Sequence, residues 1–374
     1  MLWDRVLGHQ AAVAGLRRAL EKGRLGHAYL FTGPSAVGKF IVARTLAASV
    51  LCPQGGCGAC NVCRRVFEEK HPDVTVIRPS GTFIPIEVVR GMRLDAFRKP
   101  VESERKFYII KNAERMKEET ASALLKVLEE PPQNVIFVML TANPGAILPT
   151  IRSRCEEIRF TNIPVQVLKE YLEKEKGLDA SRADLVARLT GGVLGRAMGF
   201  CDEPWRLKRR DNVIRAAMEI RGADLNRTLE TAAELHREVR APVNEIRVEY
   251  QNRKEQLQDG SLDDVSARRL AKDLDEECRR EQRKEETRGM KEVLFILAWW
   301  YRDILVRGQG GNPSLLVNSD FRDEIEREAQ SVSVDGLLRC IDVIGEGMRG
   351  AELNIPSQLN IESTIFGIQE ALGA

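Results

Sequence analysis

Over the first 160 residues or so, short apolar runs alternate with longer stretches that carry apolar side chains at every third or fourth position. The runs Ala28–Phe31, Asp73–Ile77 (DVTVI), Lys106–Ile110 (KFYII), Val135–Thr141 (VIFVMLT) and Glu157–Phe160 have the length and composition of buried strands. Between them fall helical patterns. Ala11–Lys22 places Val13, Leu16 and Leu20 on one face, and a second helix follows the first strand with Ile41, Val42, Leu46 and Val50 at helical spacing. A polar helix is predicted over Arg64–Lys70, another from Pro85 to about Arg98, and another over Glu118–Glu130, stopped by Pro131-Pro132. Strands alternating with helices predict an α/β domain with a parallel sheet covered on both faces.

From Pro164 onward the strand pattern disappears. Val165–Lys176, Ser181–Thr190 and Leu194–Phe200 read as short helices, the last two separated by a Gly191-Gly192 turn. The pattern predicts an α/β domain over 1–162, a small helical lid over 163–203 and an all-α domain over 204–374. Within the last, Arg227–Gln258 and Leu262–Arg288 are highly charged, with Leu235, Val239, Val243, Ile246, Tyr250 and Leu257 in one arm and Leu262, Val265, Leu270, Leu274 and Cys278 in the other. This predicts an antiparallel helical hairpin over about 227–288, turning at Asp259-Gly260 and disturbed in its first arm by Pro242. A partly disordered charged insertion is the alternative. Val293–Leu305 is a buried core helix, and Leu337–Met348 and Ile355–Leu372 close the chain.

Composition narrows the function classes. The 374 residues carry a formal net charge of +2, too little to mark a stand-alone nucleic-acid binder. The longest apolar run, Val293–Tyr301, has nine residues, far short of a membrane span, and the opening MLWDRVLGHQ lacks a basic-then-apolar signal pattern. A cytoplasmic protein is expected. Of eight cysteines, Cys52, Cys57, Cys60 and Cys63 crowd together as C-x4-C-x2-C-x2-C, with Gly55, Gly56 and Gly58 supplying tight turns. Four thiolates at this spacing form a closed tetrahedral site for structural Zn²⁺, with an iron–sulfur cluster as the rival.

The first strand runs into Gly33-Pro34-Ser35-Ala36-Val37-Gly38-Lys39 and then a helix. This is the context of a phosphate-binding loop, in which backbone N–H groups cradle phosphates and Lys39 reaches the β and γ positions. The next residue should be Ser or Thr, to hold Mg²⁺, and is Phe40. The strand Phe107–Ile110 should end in carboxylates for metal and water, and ends in Lys111-Asn112; Glu114 and Glu118 follow where the chain should have turned away. Both losses fall on one metal site, so Mg²⁺ is not expected and ATP hydrolysis is not expected, while ATP binding stays open. Arg154, in Ser153-Arg154-Cys155, and Arg196, in GVLGRAM, are each either surface arginines or phosphate-facing groups.

LGHQAAV, HAYLFTGPSAVGK, the four-cysteine insertion over 52–63, SALLKVLEEPP, TANP, LPTIRSRC, GGVLGRAM and the WYRD stretch together resemble the delta-prime family of bacterial DNA polymerase III clamp-loader subunits, in the AAA+ superfamily. The likeness is weakest over about 225–290. It implies a P-loop AAA+ domain, a helical lid and an all-α collar that joins subunits. It further implies a hetero-pentamer with gamma/tau and delta subunits that loads the sliding clamp onto primed DNA. Gly33, Gly38 and Lys39 would belong to a degenerate nucleotide site, with Asn143 and Arg196 as its first and second sensors. Arg154 would be an arginine finger reaching in trans into a neighbouring subunit's ATP site. The chain would then be a stator, no ATPase itself within a DNA polymerase holoenzyme. The alternatives are an active gamma/tau-like ATPase and a purely structural AAA+ scaffold.

Overall fold

A computed structural model describes residues 2–258, 264–353 and 355–373. The chain divides into two compact units, Met1–Asp202 and Glu203–Ala374. The three helices predicted as a lid fall within the first.

The first unit is built on five strands: β1 (Ala28–Thr32), β2 (Val74–Ile77), β3 (Lys106–Ile110), β4 (Val135–Thr141) and β5 (Glu156–Arg159). They lie in the order β2-β3-β4-β1-β5 with every pairing parallel, as predicted. Successive residues of a strand point to opposite faces, and here both faces are apolar. Tyr29 and Phe31 of β1, Phe107 and Ile109 of β3 and Ile136, Val138 and Leu140 of β4 enter one core. Ala28, Leu30, Tyr108, Ile110, Phe137 and Met139 enter the other. The first core is closed by α1 (Gln10–Glu21), α2 (Lys39–Leu51) and α3 (Asn61–Phe67), through Leu16, Val42, Leu46 and Val66. The second is closed by α4 (Ile86–Ala96) and α5 (Glu118–Glu129), through Val89, Met92, Leu124 and Val127. The edge strand β5 carries Glu156, Glu157 and Arg159, which discourages further strand pairing.

A short helix, α6 (Pro149–Arg152), precedes β5, and α7 (Val165–Lys176), α8 (Ala180–Leu189) and α9 (Leu194–Asp202) follow it. Gly191 and Gly192 both take positive φ at the predicted turn. A β carbon on Gly192 would lie 1.9 Å from the Ile163 carbonyl oxygen, so only glycine fits there. With the P-loop strand β1 beside β4 and one strand removed from β3, this unit has the α/β P-loop architecture of AAA+ modules.

The second unit is all-α among its described residues: α10 (Trp205–Ile220), α11 (Leu225–Gln258), α12 (Asp264–Gly308), α13 (Arg322–Ala329), α14 (Val334–Glu352) and α15 (Ser357–Gly373). Their shared core includes Val213, Leu235, Val239, Leu294, Trp300, Tyr301, Ile344 and Ile365. The charged hairpin is helical in both arms. The expected turn at Asp259-Gly260, the residue Leu262 and the side chains of Leu257 and Val265 lie outside the described residues. Tyr250 bonds Glu281 at 2.7 Å, Lys254 bonds Asp275 at 2.8 Å and Arg240 pairs with Glu286 at 3.2 Å, so polar pairs supplement the thin apolar seam. α12 continues without a break into the apolar Val293–Leu305 stretch, so hairpin and core helix are one element.

Pro242 does not interrupt α11. Proline lacks the N–H that would bond the carbonyl four residues back, which is that of Glu238. The buried guanidinium of Arg209, on α10, donates to this Glu238 oxygen at 2.6 Å. A side chain from a neighbouring helix thus replaces the missing backbone donor. The same guanidinium pairs with Glu292 at 3.2 Å and stacks over Trp205 at 4.4 Å.

Candidate nucleotide pocket and cysteine cluster

The loop between β1 and α2 owes its shape to Gly33 and Gly38, at φ 136° and 113°, with Ala36 at φ 61° between them. A β carbon on Gly33 would lie 2.1 Å from the Phe160 carbonyl oxygen, so the glycine is required by close approach as well. Lys39 is buried, and its ammonium donates to the carbonyls of Gly33 and of Pro34, the latter at 2.6 Å. Burial pulls its pKa down to about 8, against the nearby Glu114 charge that acts to raise it. The loop is held from two further sides. His9 Nε2 lies 2.8 Å from the Val37 carbonyl oxygen, and the Gly195 N–H of α9 donates to the Ala36 carbonyl at 2.9 Å.

Beside this loop is a cavity of about 530 Å³. Ser35, Gly38, Lys39 and Phe40 form one wall, Lys111, Asn112 and Thr141 the strand ends, and Tyr171, Leu194 and Met198 the helical side. Of the residues predicted for a nucleotide site, Gly38 and Lys39 line the cavity. Gly33 shapes the loop from behind, while Asn143 and Arg196 each sit next in sequence to lining residues, Ala142 and Gly195.

The two departures from a metal site prove to be one feature. The Lys111 ammonium lies 4.4 Å from the centroid of the Phe40 ring, and the Arg44 guanidinium is also 4.4 Å from it. Burial lowers the pKa of Lys111, and the like charges of Arg78 and Arg44 push the same way against Glu69. Glu114 departs from expectation, since its carboxylate still acts on Lys39. Asn112, at φ 52°, takes the left-handed conformation, and a short 3-10 turn over Ala113–Arg115 follows it. The Asn112 side-chain amide faces one Glu114 oxygen at 3.4 Å, and the other oxygen is buried without a hydrogen-bond partner. The positions that would hold Mg²⁺ offer an aromatic ring and an ammonium. These residues do not fit that ion.

Arg154 follows α6 and is partly exposed. Its guanidinium pairs with Glu129 at 3.0 Å and donates to the Thr150 carbonyl at 3.0 Å and to Ser153 Oγ at 3.3 Å. Glu129 ends α5, within the SALLKVLEEPP stretch, so two motifs far apart in sequence meet at this ion pair. Glu129 was not singled out from the sequence, where its neighbour Glu130 is indistinguishable from it.

The four clustered thiols converge. The Sγ atoms of Cys52, Cys57, Cys60 and Cys63 all lie within 4.8 Å of one another, with Cys52 3.6 Å from Cys60 and 3.9 Å from Cys57. A tetrahedral ion with sulfur at about 2.3 Å requires sulfurs close to this far apart. Backbone N–H groups of Gln54, Cys60, Gly58 and Cys63 each point at a cluster sulfur at 3.4 Å, as expected around thiolates. Burial opposes ionisation of Cys52, yet N–H groups of Cys57, Gly56 and Gln54 outweigh it and bring the thiol down to about 6. A β carbon on Gly56 would lie 2.6 Å from Ser49 Oγ, so this turn also needs glycine. The donor set can hold a metal ion and leaves no coordination position open.

Residues 8–164 match the family described as DNA polymerase III, delta subunit. The chain is 35% identical over 181 residues to DNA polymerase III subunit delta' of Bacillus subtilis (48% of this chain, 55% of that one). It is 34% identical over 208 residues to DNA polymerase III subunit gamma/tau of Mycobacterium bovis (53% of this chain, 36% of that one). The aligned region spans about half the length of the first relative and about a third of the second. A solved gamma subunit-related protein of Thermotoga maritima superposes at a TM-score of 0.45 with 19% identity, covering 96% of this chain and 98% of that one, a likeness too slight to carry weight. Residues 8–164, which carry the P-loop and the SRC arginine, thus match the DNA polymerase III delta subunit family, and about half of the chain is similar to delta' and gamma/tau subunits of that polymerase.

Proposed function

We propose that the chain is a delta-prime-like stator of the DNA polymerase III clamp loader, working in the cytoplasm within a hetero-pentamer of gamma/tau and delta subunits that places the sliding clamp on primed DNA. In this reading it hydrolyses no ATP itself. It presents Arg154 in trans to the ATP site of a neighbouring gamma/tau subunit, where a guanidinium stabilises charge developing on the transferred phosphate. Glu129 orients that guanidinium. Asn143 and Arg196 are the remnants of nucleotide sensors. Cys52, Cys57, Cys60 and Cys63 hold a structural Zn²⁺ that fixes the loop between α2 and α3. The observation that carries the reading is the contact of Lys111 with Phe40, which puts a cation where a hydrolysing P-loop domain needs metal ligands.

The test is an Arg154→Ala chain assembled into an otherwise intact loader. The Arg154–Glu129 pair is partly exposed and contributes little to stability, so the variant should fold and assemble. An arginine finger contributes about 10³–10⁵ in rate in other NTPases, so DNA-stimulated ATPase activity should fall by at least about tenfold. Unchanged activity would reject the role. It would favour the scaffold reading, which has one contact in its support: Arg154 is already occupied by Glu129 and Thr150 within its own chain.

A further inference from the structure

We infer that the cavity beside Lys39 binds a nucleoside triphosphate without a divalent cation, the Lys111 ammonium taking over the charge that Mg²⁺ neutralises in hydrolysing relatives. The inference rests on the reading of this chain as non-hydrolysing and adds the ligand state of its own site.

Phosphate-binding loops need positive charge near the β and γ phosphates. Here two lysines line one cavity, Lys39 from the loop, its ammonium resting on the loop carbonyls of Gly33 and Pro34, and Lys111 from the end of β3. Lys111 is held in place by the face of Phe40 at 4.4 Å, the residue directly after Lys39. The pair is therefore built, since an aromatic ring adjacent to the P-loop lysine does for an ammonium what a hydroxyl does for Mg²⁺. Around these cations stand Arg44 on the same ring, Arg78 and Glu69, which pair with one another, and Glu114 beside Lys39. The two lysines and Glu114 sum to one positive charge at the cavity, which favours a free polyphosphate and disfavours a dication. The volume of about 530 Å³ lies within the range of small-molecule sites, and Ile41, Tyr171, Leu194 and Met198 supply an apolar end for a base.

A rival has its own observation. The buried, unpartnered oxygen of Glu114 could serve a metal ion through an unconventional ligand set. The two accounts make opposite predictions for one measurement, calorimetric titration of ATP into the purified full-length chain, once in EDTA and once with excess Mg²⁺. The inference requires binding in EDTA that is at least as tight as binding with Mg²⁺. Lys111→Ala should weaken the EDTA binding at least tenfold, while Lys111→Arg, which keeps a cation on the ring, should retain most of it. Glu114→Gln should leave it unchanged or tighter. Absence of binding in EDTA overturns the inference, and so does binding made tighter by Mg²⁺ or lost in Glu114→Gln. Because this is read on the isolated chain, its failure leaves the Arg154 result in the assembled loader untouched, and the reverse also holds.

Discussion

Arg209 and Pro242 do not bond each other, yet their substitutions should be coupled. In Arg209→Ala the guanidinium that reaches the Glu238 carbonyl at 2.6 Å and Glu292 at 3.2 Å is lost. Glu292 is a largely buried carboxylate, and burial already raises its pKa against the pull of Arg206 and Arg209. Removing one partner of such a pair costs about 3–5 kcal/mol. Losing the donor to the proline-orphaned carbonyl is part of that cost, about 1–2 kcal/mol. Pro242→Ala restores a backbone N–H for the same carbonyl. In that background Arg209→Ala should therefore cost about 1–2 kcal/mol less, because the Glu292 penalty is common to both arms of the cycle and cancels. Urea denaturation followed by tryptophan fluorescence suits the measurement, since Trp205, Trp299 and Trp300 lie in the helical unit and only Trp3 lies outside it. If the two substitutions add within about 0.5 kcal/mol, Arg209 is not what carries α11 through Pro242.

Four further outcomes are expected. Metal analysis of the purified chain should find one Zn²⁺ per molecule. Cys60→Ser should lower that content and the melting temperature while circular dichroism still reports the sheet, and full zinc retention in this variant would refute the four-thiolate site. Binding of ATP should depend on the charge of Lys39, whose pKa in the free chain is about 8. Affinity should be level below pH 8 and fall by up to about tenfold per unit above it, as a proton must be taken up to bind, whereas a flat profile from pH 7 to 10 would exclude Lys39 from the site. Gly191→Ala, at φ 58° with open space around it, should cost about 1 kcal/mol, and Gly192→Ala, whose β carbon meets the Ile163 oxygen at 1.9 Å, at least about 3 kcal/mol; equal costs in urea would contradict the described turn.

The sheet was legible because its central strands are buried on both faces, and a run such as VIFVMLT has few other uses. Helix ends were legible where proline enforced them, as at Pro131-Pro132. The cysteine cluster was legible because its four thiols are neighbours in sequence. What escaped reading depends on pairs distant in sequence. Phe40 and Lys111 looked like two separate losses, and only the sheet order brings one over the other. The break expected at Pro242 failed because its remedy, Arg209, sits on another helix. Glu114 was expected to point away, but the left-handed Asn112 and the 3-10 turn after it bring its charge back toward Lys39, and no local pattern marks an asparagine for that conformation. α13 is mostly polar and was not picked out within the helical region, its burial resting on Ile325.

The continuity of α12 constrains how this protein can change length over evolutionary time. One rod of 45 residues, about 65 Å long, carries both an outer arm of the hairpin and the tryptophans of the core. Each residue added to or removed from its middle turns everything beyond by about 100° relative to the buried part. The seam against α11 would then face solvent and the ion pairs would part. Length differences among relatives should therefore gather at the connection between the arms, or come as matched insertions of about seven residues in both. The hairpin is open to lengthening at its tip and closed to it at its root.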